Sequence, residues 1–148
     1  MNVEQIIKTD KKLSPSVRTM IHFALVNTKI REAFNLALRP FDMSEQQFNV
    51  LRILRGQQQK PANLSTINER MVTKMSNTTR LVDKLITKGY VDREICVQNR
   101  RKVEITITKK GMQVLAKLDK VMQHTEQKLL QNFNEKELQL LNKLLDKF

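Results

Sequence analysis

Apolar residues recur every three or four positions along most of the chain, and alternate one-in-two only between residues 91 and 107. The first period belongs to amphipathic helices and the second to half-buried strands. Val3, Ile6 and Ile7 form a small apolar group within the polar stretch 1–13, which suits a short docked helix. Ser14 followed by Pro15 is a helix start, a capping hydroxyl with proline at the first helical position, and this helix runs to about Leu38 before Pro40. Its apolar residues Val17, Met20, Ile21, Ala24 and Leu25, then Ile30, Phe34 and Leu38, cover more than one face, the pattern of a helix with two partners.

Ser44 with Gln47 three places on makes a capping box for a helix whose inward side is Phe48, Val50, Leu51 and Leu54, ending near Gly56. GQQQKPAN is a connector. A short helix follows over 64–71, capped by Asn63; Val72-Thr73 turns the chain; a helix from Lys74 to Lys88 follows, with Thr73 as its cap and Gly89 as its left-handed stop. Two short helices across a tight turn are a helix-turn-helix pattern. Val91, Ile95 and Val97, then Val103, Ile105 and Ile107, alternate with polar residues around the turn Gln98-Asn99-Arg100-Arg101-Lys102, which is a hairpin with its odd-numbered side inward; Arg93 breaks that run. Thr108 caps a helix striped by Val114, Leu118, Val121, Met122 and Leu129. Asn134 and Glu137 form a second capping box, opening a last helix with the apolar face Leu138, Leu141, Leu144, Leu145 and Phe148. The fold class is mainly α with a small β-hairpin.

Charge changes the picture. The net +12 of the 148 residues is concentrated: fourteen basic against six acidic groups lie in 44–110, while 1–43 and 111–148 carry net +3 and +1. An even solvated coat would not gather charge there, whereas a polyanion-binding surface would. The terminal helices, rich in leucine and nearly neutral, suit an interface between two chains, or else fold back on their own chain.

These features point to double-stranded DNA. The helix 74–88 carries Asn77, Arg80, Lys84 and Lys88 on one side, and Lys74, Ser76 and Thr79 in its first turns. Asparagine pairs with adenine and arginine with guanine in the major groove, while serine, lysine and a helix N-terminus suit phosphates. Met75, Thr78, Val82 and Leu85 turn to the core. Arg100, Arg101 and Lys102 at the hairpin tip suit a narrow minor groove. The plainer alternatives are a solvated helix face and a charged tip that keeps strand edges apart.

At this point the chain resembles the MarR family of bacterial winged helix-turn-helix regulators. The resemblance rests on residues 43–51, the block Thr79-Arg80-Leu81-Val82-Asp83-Lys84-Leu85-Ile86-Thr87-Lys88-Gly89-Tyr90-Val91, then Asn99-Arg100-Arg101 and 107–111. It implies a homodimer built on the terminal helices, 1–43 and 111–148, with 44–110 as the winged helix-turn-helix DNA-binding lobe. It also implies a repressor released by a small phenolic or anionic effector held between helix 15–38, helix 44–55 and the reading lobe. The inserted wing residue would be Arg101. Two positions depart from the family pattern: Asn99 stands where an aspartate usually steadies that arginine, and Val72 where the turn usually has glycine, so the turn must use a conformation open to a β-branched residue.

The expected partners are a pseudo-palindromic operator and a second copy of the chain. The other readings are a constitutive DNA-binding regulator without ligand and a winged-helix protein-interaction module. Cys96 is a lone cysteine with Glu94 close on the same face, which disfavours a reactive thiolate. His22 and His124 sit on separate helices and no cluster has metal spacing, so neither zinc nor another cofactor is expected. No nucleophile–base pattern or phosphate loop is present, which argues against an enzyme. The N-terminal residues lack an apolar signal core and no run reaches membrane-span length, so the chain is expected in the cytoplasm.

Overall fold

The computed structural model describes residues 2–58, 60–72, 77–95 and 103–148. The elements run α1 (Val3–Ile6), α2 (Pro15–Leu38), a 3-10 turn (Arg39–Phe41), α3 (Glu45–Gly56), α4 (Leu64–Arg70), α5 (Thr78–Thr87), β1 (Val91–Ile95), β2 (Val103–Ile107), α6 (Lys109–Leu130) and α7 (Glu135–Leu145). The helix starts are those the side chains dictate. Ser14, Asn63 and Thr108 each accept a backbone N–H of the first turn, and Ser44/Gln47 and Asn134/Glu137 close full capping boxes. Gly89 ends the α5 segment with φ +70, as expected. After α3 the left-handed residue is Gln58 (φ 52), not Gly56, because the chain continues two residues past the helix before it reverses.

β1 and β2 pair antiparallel, with Val91 opposite Ile107 and Ile95 opposite Val103. A third chain segment joins them: Ala62 exchanges both backbone hydrogen bonds with Ile105, at 2.9 and 2.8 Å. The connector after α3 therefore contributes a one-residue strand. Its pattern carries no alternation that could have announced this. Pro61 lacks an N–H, so the pairing is confined to the residue beside it.

The core lies under the helix-turn-helix. Phe48, Val50, Leu51 and Leu54 of α3, Ile67 of α4, Val82 and Leu85 of α5, Val91 and Ile105 of the hairpin, and Leu115, Leu118 and Met122 of α6 are all buried in one cluster. Leu38 and Met43 close it beneath the end of α2. The first four turns of α6 seal the core, and Gly111 sits where a Cβ would overlap the Tyr90 carbonyl oxygen. Arg55 of α3 forms an ion pair with Asp119 of α6 across the same seam.

Outside the core much of the apolar pattern of α2 and α7 is left exposed. α2 buries only Leu38, while Val17, Met20, Val26 and Leu36 are exposed. α7 has no buried residue at all, and Leu140, Leu141, Leu144, Leu145 and Phe148 stand open. Phe148 reaches back to Phe23 of α2 in an edge-to-face contact, centroids 5.4 Å apart. At the N-terminus Val3 is buried and Glu4 pairs with Arg18 at 2.8 Å, so α1 is docked on α2. No described helix is long and apolar enough to cross a membrane.

Candidate nucleic-acid interface

α5 presents its residues in three directions, and the sequence explains the division. Thr78, Val82 and Leu85 lie about one helical repeat apart and are buried. Arg80 lies about 200° around the axis from Thr78 and points away from the core, exposed. Asp83 turns toward the hairpin; Lys84 and Leu81 turn toward α2. The described helix begins at Thr78, with Asn77 at the N-cap position (φ −131, ψ 29). The sequence pattern placed the cap at Thr73 and the first helical residue at Lys74. Thr73 and Lys74 lie outside the described residues; Asn77 itself is not helical, as suits a short amide that readily leaves helical geometry. Its side chain makes no capping hydrogen bond and is exposed, so its amide is not engaged in holding the helix.

Of the four polar residues expected on one side of this helix, Lys88 has another partner. Its ammonium donates to the carbonyl oxygen of Asp42 and, at 2.6 Å, to the Asp42 carboxylate. Asp42 is left-handed (φ 49), which turns both oxygens toward the end of α5. That hydrogen bond, then the charge of Lys88, and finally that of Lys84, hold the Asp42 carboxyl below its ordinary range. A group depressed in the folded state keeps its contribution above the unfolded pKa and loses it as pH falls through the folded one. The clasp is therefore intact at neutral pH and opens only under acid. Lys110 in turn donates to the Lys88 carbonyl at 2.9 Å and lies over the Tyr90 ring.

Two further contacts set the helix against its neighbours. Arg93 of β1 pairs with Asp83 of α5 at 2.7 Å, which ties the root of the hairpin to α5. The break that Arg93 makes in the strand's apolar alternation was the visible signal of this pair; its partner was not legible from spacing. Thr78 donates its hydroxyl to Asn68 Oδ1 of α4 at 3.1 Å. The turn between α4 and α5 starts at Met71 in extended conformation (φ −68, ψ 133), so it leaves α4 without a left-handed glycine, and Val72 is accommodated there. The predicted site residues Lys74, Ser76, Arg100, Arg101 and Lys102 lie outside the described residues, as do Met75, Cys96 and Asn99. Among the described residues the structure brings Asn77, Thr79 and Arg80 together on the open side of α5, with Lys84 on its α2 flank.

Between that flank and α2 lies an open cleft of about 680 Å³. Leu36 and Arg39 line it from α2 and its end, Met43 and Gln47 from the entry of α3, and Leu81 and Lys84 from α5. Among the described residues no group of histidine, cysteine, aspartate and glutamate is arranged to hold a metal ion.

A helix-turn-helix packed on a hairpin, with an outward arginine on its second helix and a positively charged lobe, defines a winged-helix DNA-binding protein. Residues 43–103, the segment that holds the helix-turn-helix and the hairpin, match the sequence model of the MarR family. Among curated relatives it is 26% identical over 121 residues to the HTH-type transcriptional regulator PapX of Escherichia coli, covering 78% of this chain and 74% of PapX. It is 24% identical to the HTH-type transcriptional repressor IacR of Pseudomonas putida, covering 83% and 72%. Among solved structures it is similar to a cysteine-to-serine variant of E. coli MarR complexed with operator DNA. The TM-score is 0.76 at 24% identity, with 99% of this chain and 98% of that one covered. It shares the fold of Bordetella bronchiseptica BpsR, described for the regulation of its DNA binding by 6-hydroxynicotinic acid, with TM-score 0.79, 18% identity and coverage of 93% and 96%.

Proposed function

We propose that two copies of this chain bind a pseudo-palindromic operator as a cytoplasmic repressor, with no enzymatic role. Residues 1–43 and 111–148 would build the dimer, and 44–110 the DNA-binding lobe. In each lobe Asn77, Thr79 and Arg80, with Lys74 and Ser76 before them, enter the major groove. Lys84 contacts phosphate from the flank, and Arg100, Arg101 and Lys102 follow the adjacent minor groove. The observation that carries this is Arg80, exposed on the side of α5 opposite the buried Thr78, Val82 and Leu85, in the segment that holds most of the chain's positive excess. The uncovered apolar faces of α2 and α7 support the dimer, since they are too extensive to leave in water. The relatives' names as repressor and as operator complex support the regulatory role.

Duplex binding measured by fluorescence anisotropy at rising salt tests this. Neutralising about 6–10 phosphates across two lobes should weaken binding about 10³-fold or more between 50 and 200 mM salt. A flat salt dependence would mean that the basic lobe does not meet the backbone and would favour a protein-interaction winged helix.

The cleft beside α5 supports a regulated rather than constitutive binder. Two of its walls, Leu81 and Lys84, belong to the reading helix, so an occupant would touch that helix directly. A small phenolic or anionic effector is the proposed occupant, in line with the aromatic acid that regulates BpsR. A thermal-shift panel of phenols and aromatic acids should find at least one that raises the melting temperature. No shift across the panel would leave a constitutive regulator.

A further inference from the structure

We infer that the hydrogen bond from Thr78 to Asn68 is the contact that sets the sequence discrimination of this protein, by fixing where α5 lies relative to α4. The inference rests on the proposed reading of DNA by α5 and adds the residue pair that aims it.

Thr78 opens the buried stripe of α5, whose other members are Val82 and Leu85. Valine would fill the same volume there, and a buried hydroxyl is unfavourable unless it finds a partner. It finds one on the other helix of the motif: Oγ1 donates to Asn68 Oδ1 at 3.1 Å, across the turn. Among the described residues the two helices also share apolar contacts, Ile67 and Met71 against the core that Val82 and Leu85 join. Apolar contacts are non-directional and tolerate a small slide or roll of one helix on another. A hydrogen bond does not, because its energy falls steeply with distance and angle. The bond sits at the first residue of α5, and it joins that residue to the other helix of the motif. Asn77 makes no capping bond, and α4 exits into the turn through extended Met71 rather than a left-handed glycine. Arg80 and Thr79 follow within one turn of the fixed point. Small displacements of reading side chains are enough to lose a bidentate base contact, whereas phosphate contacts from flexible lysines tolerate them.

The test compares affinity for an operator found by selection from random duplexes with affinity for a scrambled duplex of equal length. The proteins are the full-length parent, Thr78→Val, Thr78→Ser, Asn68→Ala and the Thr78→Val/Asn68→Ala pair. Thr78→Val and Asn68→Ala should each lower the operator-to-scrambled ratio about tenfold, the scale of one hydrogen bond, with affinity for the scrambled duplex and its salt slope unchanged. Thr78→Ser should recover the parent's ratio, and the pair should be no worse than either single change. An unchanged ratio in both single variants overturns the inference. So do an equal fall on both duplexes, additive effects in the pair, or a Thr78→Ser that behaves like Thr78→Val. Should Thr78→Val fail to fold, Asn68→Ala, at a partly exposed position, carries the same comparison. If Arg80→Ala loses discrimination while the Thr78 and Asn68 variants keep it, this inference alone is wrong. If the parent itself shows no preference for any duplex, the proposed function falls and takes the inference with it.

Discussion

Arg80→Ala is expected to lower operator affinity about 10²- to 10⁴-fold, the scale of two lost bidentate contacts to guanine edges, one in each half-site, and to relax specificity at one base pair in each. The side chain is exposed and has no ion-pair partner among the described residues, so its removal should leave the melting temperature within about a degree or two of the parent. That separation of effects distinguishes a reading residue from a structural one. Lys88 provides the contrast on the same helix: its ammonium is held by Asp42, so Lys88→Met should act through stability before it acts through DNA. Anisotropy with the selected operator, alongside thermal denaturation, measures both. An Arg80→Ala protein that binds like the parent would place the reading surface elsewhere.

The second large effect concerns the uncovered helices. Replacing Leu141 and Leu145 of α7 together by aspartate should convert the protein to monomers while the lobe stays folded, because both leucines are exposed in their own chain and no residue of α7 belongs to the core. Operator affinity should then fall by about 10²–10⁴, the gain that joining two half-site contacts supplies. Sedimentation velocity reports the assembly and anisotropy the binding. Unaltered mass would show that these leucines cover nothing in solution, and a monomer with full operator affinity would remove the need for two lobes.

Much of this architecture was legible before the structure. Ser14, Ser44, Asn63, Thr108 and Asn134 are side chains whose oxygens satisfy first-turn amides, so they mark helix starts in the chain itself. The hairpin announced itself by its period of two, and α7 by a leucine face. What escaped were contacts between residues far apart in sequence. Lys88 reads as one more surface cation until Asp42, 46 residues earlier, proves to lie beneath it. Asp83 and Arg93 meet only because β1 turns back along α5. Ala62 joins the sheet by backbone hydrogen bonds, which leave no mark in side-chain pattern. The expected cap Thr73 lies outside the described residues, and the described helix begins at Thr78, after Asn77 in non-helical conformation.

Selection of bound duplexes from a random library, followed by sequencing, goes most directly to the central proposal that two copies of the chain read one operator. The expected product is a single motif with two inverted half-sites centred about one helical turn apart, enriched by the parent and lost by the Leu141/Leu145 variant. Enrichment of an isolated half-site, of half-sites at random spacing, or of no motif at all would contradict the paired-lobe account.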